Sequence, residues 1–383
     1  MMNTGCMVQL LKGPLLSTVR RYSYPSTILS QSPDFSSSVV LSYARSDVRH
    51  LISEVRKSMG PRLPSFCELV RYQFDSRGKL LRPLLVTLMS ACTNMHSSGS
   101  IEISFNNDPL KDQYPNRKLS SIVSPSQHRI AMITEMIHTA SLIHDDLLDS
   151  ADLRRGKQAT YRTFGHREAI YGGDFILTHS SRLLAEIGDP DVIAVLSLVI
   201  QDLIHGELMQ LSTSADDTER FQAYLTKTYR KTASLMGNSC KAVAMLSRPT
   251  LPKKLIQSAY EFGRHLGMAF QLIDDVLDFV SDKESLGKPA GGADMQIGIA
   301  TGPVLFAAQS FPELDAILLR QFSLTGDKER ALELIEKSDG IGQTRMLAEF
   351  HFQAAQRCLG DFRASEARQA LLHIAATCLQ RNR

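Results

Sequence analysis

Apolar residues recur three and four positions apart along most of this chain, the spacing that places them on one face of an α-helix. The pattern predicts helices over 80–92, 126–152, 168–187, 192–211, 218–246, 254–280 and 298–311, then 329–337, 342–359 and 365–380. An amphipathic segment also opens at Ser46-Asp-Val-Arg-His, with cap-like residues in front, and a break follows between Gly60 and Pro64. From Thr93 to Gln127 the period is lost among Asn, Ser, Asp and Pro, which reads as a long surface loop. The alternation of a half-buried strand is nearly absent, and no solenoid-length repeat recurs. The expectation is an all-α fold, one helical domain spanning 46–383.

Composition changes this picture little. With 383 residues, 43% of them hydrophobic, the chain can bury a sizeable core. A net charge of +3 is too small to argue for nucleic acid. Six scattered cysteines without a CxxC pair fit a reducing compartment and exclude a disulfide framework or zinc finger. The apolar run 192–200 is too short to span a bilayer. The first residues differ in kind: no acid occurs before Asp34, while Lys12, Arg20, Arg21 and many Ser and Thr do. That is the composition of a mitochondrial or chloroplast transit peptide, so residues 1–45 are expected to be a targeting leader outside the fold. A secretory signal fits less well, because Lys12, Gly13 and Pro14 interrupt the apolar stretch.

The candidate chemistry is acidic and doubled. Asp145-Asp-Leu-Leu-Asp149 and Asp274-Asp-Val-Leu-Asp278 each set two carboxylates four residues apart, on one helix face. Such oxygen ligands suit Mg²⁺, which takes one or two carboxylates and completes its shell with phosphate oxygens. Basic residues stand at Lys79 and Arg82, at Arg154 and Arg155, at Lys231 beside Thr232, and at Lys288. Arginine grips phosphate by a planar fork and lysine as a point charge, so two acidic faces with several basic arms predict a site for two diphosphates. The plainer reading of Arg154 and Arg155 is a salt-bridged helix end. His138 lies in Glu135-Met-Ile-His138, a spacing also found in di-iron bundles, but those need a second such motif and none is present.

Taken in order, Gly78-Lys-Leu-Leu-Arg-Pro83, the run 144–156 around the first motif, Lys231-Thr-Ala-Ser-Leu235, the run 270–279 around the second and the run 287–303 resemble the trans-polyprenyl diphosphate synthases. Around 238–243 and 299–307 the sequence is similar to the catalytic subunit of the mitochondrial decaprenyl or solanesyl diphosphate synthases. The resemblance implies the isoprenoid synthase helical bundle, with both acidic motifs at the mouth of a central cavity. It implies a catalytic centre of Asp145, Asp146, Asp149, Asp274, Asp275 and Asp278, in which Asp145, Asp149, Asp274 and Asp278 ligate Mg²⁺. Arg154, Lys231, Thr232, Gln271 and Lys288 would hold an allylic diphosphate, and Lys79, Arg82, His138 and Arg155 isopentenyl diphosphate.

In that family the product runs along the helix before the first motif. Ala140 and Ser141 there are small, and Met136 and Ile137 lie one turn, about 5.4 Å, further back, so a long product is expected. Small residues that merely allow close helix packing are the competing reading. The implied activity is synthesis of the polyprenyl tail of ubiquinone in the mitochondrial matrix or at the matrix face of the inner membrane. The chain would act as catalytic subunit of a heteromer, or as a homodimer, with peripheral membrane contact. Alternatives are a shorter-chain, geranylgeranyl-type synthase or a non-catalytic scaffold subunit. Departures from the family pattern are Arg77, Leu80, Ser150 and an uncharged Ile299, none of them at a metal ligand.

Overall fold

The computed structural model describes residues 35–59, 64–74, 78–98, 108–110, 117–154, 156–209, 217–280, 293–296 and 298–381. Most of the expected leader, together with Arg155 and Lys288, lies outside them. The chain runs α1 (Phe35–Met59), α2 (Pro64–Phe74), α3 (Leu81–Ser98) and α4 (Pro125–Leu148), then a short antiparallel ribbon of β1 (Leu153–Arg154) and β2 (Lys157–Gln158). It continues with α5 (Thr160–Phe164), α6 (His166–Ala185), α7 (Pro190–Met209) and α8 (Asp217–Thr228). A π-turn (Tyr229–Ala233) joins α8 to α9 (Ser234–Met245), and α10 (Lys253–Val280) follows. Last come α11 (Ala293–Gln296), α12 (Gly302–Ser310), α13 (Glu313–Leu319), α14 (Asp327–Lys337), α15 (Gly340–Leu359) and α16 (Glu366–Leu379).

Two helices organise the rest. α10 packs along α9 on one side and α15 on the other, while α4 packs along α6 and α3. Glycines permit the tight approach of α10: a Cβ on Gly263 would lie 2.5 Å from the Met236 carbonyl, and one on Gly267 2.6 Å from the Ala233 Cα. The larger apolar core gathers Leu85, Ile130, Phe262 and Phe352, and a second cluster gathers Phe221, Leu272, Phe306 and Leu314. α4 starts sharply because Ser124 and Gln127 form a reciprocal capping box with Pro125 in the first turn.

Three expectations need correction. The surface loop read over 93–127 is packed at both ends: α3 continues through Thr93, Asn94 and Met95, all buried, and residues 117–124 are tied down. Asn94 Nδ2 donates to the Ile122 carbonyl and to Gln127 Oε1, each at 2.7 Å, and Gln127 Nε2 donates to the Val243 carbonyl at 2.9 Å. Asp47 accepts from the Lys118 and Leu119 amides at 2.6 and 3.0 Å. The segment looked polar because these side chains satisfy one another inside the protein. The boundary at residue 45 falls inside α1, whose Leu41 and Ala44 belong to the core. The single helix read over 218–246 is interrupted by the π-turn, and the short α2, α5, α11 and α13 carried too little periodicity to be read.

Candidate functional site

The last turn of α4 delivers Asp145 and Asp149, and α10 delivers Asp274 and Asp275, to the wall of one cavity of about 1150 Å³. The remaining wall comes from 78–82 at the head of α3, from the ends of α7 and α8, from the π-turn, and from Asp294, Ile299, Thr301 and Arg381. Asp294 feels the charge of Asp149, so carboxylates on the two sides act on one another.

In both motifs the first aspartate faces the cavity and the second is buried against a fixed partner. Asp146, 2% exposed, accepts from Arg154 Nε at 2.7 Å. Asp275, 3% exposed, accepts from the Tyr224 hydroxyl and from Gln271 Nε2, the latter at 2.9 Å. Gln271 Oε1 in turn accepts from the Thr232 hydroxyl at 2.9 Å. A helix explains the division: positions one and five share a face, and position two is rotated onto the flank. Asp278 is the exception, absent from the cavity wall and accepting instead from the Asp294 amide at 3.3 Å.

Burial pushes the Asp145 carboxyl up to about 6, against the pull of Lys231. It also raises Asp149, Asp274 and Asp275, and it lifts Asp294 to about 6 with help from Asp275 and Asp278. Carboxylates crowded in a desolvated pocket favour bound cations, which relieve both costs. Among the described residues no three His, Cys, Asp or Glu side chains converge on one point. The donor set therefore fits hard divalent ions that take one or two carboxylates each and complete their shell with ligand oxygens.

The basic residues gather in two places. Lys231 Nζ pairs with Glu207 at 2.6 Å, beside Asp145 and Asp149. On the other side Arg82 Nη1 meets His138 Nε2 at 2.9 Å, and Lys79, Arg82 and Arg381 all act on Asp274. Arg381 Nη1 reaches Asp274 Oδ1 at 3.0 Å while its guanidinium lies 4.9 Å from the Phe270 ring centroid. The structure thus brings together Lys79, Arg82, His138, Arg154, Lys231, Thr232 and Gln271 around the acidic residues.

Sequence reasoning missed Glu207, Tyr224, Lys227, Asp294 and Arg381. Asp294 sits inside the 287–303 run, but Arg381 carries no local signal, because only the docking of α16 brings it to the site. Of the chain-length candidates, Ser141 lines the cavity with Glu135, His138 and Leu142, whereas Ala140, Met136 and Ile137 are buried in the larger core. On the side of α7 the wall turns apolar: Leu148, Leu153, Ile204 and Leu208 line the cavity yet remain 57–65% exposed.

The sequence pattern of polyprenyl synthetase matches residues 64–335. The human all trans-polyprenyl-diphosphate synthase PDSS1 is 42% identical over 337 residues, covering 88% of this chain and 76% of that protein. The rice (Oryza sativa subsp. japonica) solanesyl-diphosphate synthase 1, mitochondrial, is 37% identical over 341 residues, covering 87% and 76%. The crystal structure of a polyprenyl synthase from Caulobacter crescentus, complexed with calcium and isoprenyl diphosphate, superposes with a TM-score of 0.73 at 27% identity, covering 91% of this chain and 98% of that one. Fold, ordered motifs and doubled acidic wall agree: this chain belongs to the polyprenyl synthetase family.

Proposed function

We propose that the chain is an all-trans-polyprenyl diphosphate synthase of the long-chain class, which condenses isopentenyl diphosphate onto an allylic diphosphate to build the tail of ubiquinone. The observation that carries this is the pair of acidic motifs on one cavity wall, with basic side chains on both flanks. Asp145 and Asp149 on one side and Asp274 on the other would hold Mg²⁺, with Asp278 drawn in from beside Asp294. When bound, the ions supply charge neutralisation for a departing diphosphate.

The chain's own residues do the rest. Lys231, Thr232, Arg154 and Gln271 hold the allylic diphosphate, and Lys288, outside the described residues, is assigned to the same group. Lys79, Arg82 and His138 orient isopentenyl diphosphate beside it, and Arg155 is assigned to the same group. As the allylic C–O bond breaks, its electron pair leaves with the pyrophosphate, stabilised by these fixed positive groups. The double bond of isopentenyl diphosphate attacks the cation, and loss of a proton to pyrophosphate completes a chain longer by five carbons.

Ser141 would set how far that chain grows from the first motif, with Ala140, Met136 and Ile137 behind it. Leu148, Leu153, Ile204 and Leu208 give the growing hydrocarbon an apolar flank, and their exposure suits cover by a second synthase subunit in a heteromer, or by a second copy. Mitochondrial location is supported by the acid-poor start of the sequence and by the rice relative's name, and the reading extends it to the matrix or the matrix face of the inner membrane. The test is incubation of the pure chain with Mg²⁺, labelled isopentenyl diphosphate and an allylic diphosphate, with and without a candidate partner subunit. Long polyprenyl diphosphates that vanish with EDTA are expected. Products no longer than geranylgeranyl diphosphate in either case would defeat the long-chain assignment.

A further inference from the structure

Most cations on the cavity wall already have a partner. Lys231 is held by Glu207, Arg154 by Asp146, Arg381 by Asp274, and Arg82 lies against His138. Lys227 differs. It is half-buried on the wall, one turn before Lys231, and among the described residues it forms neither an ion pair nor a side-chain hydrogen bond. Burial lowers its pKa although Asp294 and Asp275 pull the other way. A desolvated ammonium with no carboxylate in direct contact is costly, and a protein retains one where an incoming anion completes it.

The charges around it say where that anion lies. Lys231 is acted on most by Asp145, Glu207 and Asp149, the first-motif side. Lys227 is acted on by Asp294 and Asp275, the second-motif side, and is the cation acting most on Asp294. Ile299, on the same wall, adds no charge. Two lysines one turn apart therefore serve two acidic clusters, and a diphosphate held between the clusters offers one phosphate to each.

We propose that Lys227 is a diphosphate-binding residue: its ammonium takes the phosphate of the allylic diphosphate that lies toward the second motif, and keeps hold of it as pyrophosphate once the C–O bond has broken. This rests on the two-motif reading above. The test is calorimetric titration of the wild-type chain, K227M and K227R with inorganic pyrophosphate in Mg²⁺, alongside steady-state kinetics. K227M should bind pyrophosphate about tenfold more weakly, the size of one charge-assisted hydrogen bond, and K227R should recover most of that. Product inhibition by pyrophosphate should weaken in step, with the KM for isopentenyl diphosphate unchanged. Equal binding by wild type and a folded K227M would overturn the assignment, as would an equal rise in the KM for both substrates. Should K227M not fold, K227Q replaces it in the same titration. Wild-type chain that binds no Mg²⁺-pyrophosphate at all would instead remove the two-motif reading, and this proposal with it.

Discussion

The two acidic motifs are nearly the same in letters and are held in place by different chemistry. At the end of α4, Asp146 is locked by the charged Arg154, whose side chain is 41% exposed. Within α10, Asp275 is locked by neutral donors, the Tyr224 hydroxyl and Gln271, and is 3% exposed at the edge of the cavity wall. The first motif stands at a helix terminus, where Asp149 is the C-cap and Ser150 follows with φ 53°. The second lies inside a helix that continues to Val280. One rim is braced by an ion pair at a chain turn, the other by hydrogen bonds on a rigid rod. The cavity-facing carboxylates need the same direction in both, and two unrelated supports provide it.

The largest effect should test whether the rims are equal in chemistry. Asp145→Asn and Asp274→Asn should each lower kcat/KM about 10³-fold or more, since each removes a charge from the acidic cavity wall proposed to hold Mg²⁺. A loss confined to one of the two, measured by isopentenyl diphosphate incorporation, would break the symmetry.

Next come the locks. Asp146→Ala leaves Arg154 beside an emptied buried position and should cost about 1–3 kcal/mol in denaturant titration, below a fully buried pair because water reaches the guanidinium. Asp275→Asn keeps an oxygen for Tyr224 and should cost about 1 kcal/mol. High salt should narrow the difference between wild type and the Asp146 variant only.

The first rim adjoins the exposed apolar wall of Leu148 and Leu153, so Ser141→Phe should shorten the products with little change in melting temperature. Ala140→Tyr should shorten them too, but at about 1–3 kcal/mol of overpacking, because Ala140 faces the core. Product length after either change is read by chromatography, and unchanged lengths in both would separate α4 from size control.

The effect smallest at neutral pH concerns what stands behind each rim. α4 is anchored by His128 against Glu54 at 2.5 Å, whereas α10 is anchored by His265 against His351, their Nδ1 atoms 2.8 Å apart. Burial lowers His265 to about 2 and His351 to about 3. Below the ordinary histidine range of roughly 6.5 the unfolded chain takes up protons that these folded rings refuse. Stability from this pair is therefore complete above about pH 6.5 and falls as the pH drops, by at most about 1.4 kcal/mol per pH unit for each ring. His351→Gln should flatten that slope between pH 6.5 and 4.5, and an unaltered slope would clear the pair of the effect.

The main helices and both aspartate pairs were legible because each depends on spacing within one helix. Asp145 with Asp149 needs nothing beyond the 3.6-residue turn. What escaped depends on contacts between distant segments. Asn94 and Gln127 look like loop residues until each is seen to satisfy the other, and Thr232 joins Gln271 only because Gly263 and Gly267 let α10 close on its neighbour. The π-turn that carries Lys231 leaves no mark in the hydrophobic pattern, and Arg381 lies more than a hundred positions from the aspartate it meets.

That last contact bears on how the protein is handled. Arg381 sits against Asp274 and Phe270 on the cavity wall. A proteolytic nick just before it would strip a guanidinium from the chamber and leave the Asp274 carboxylate without its partner. Inactivity of a clipped preparation would therefore report the missing arginine before it reported damage to either acidic motif.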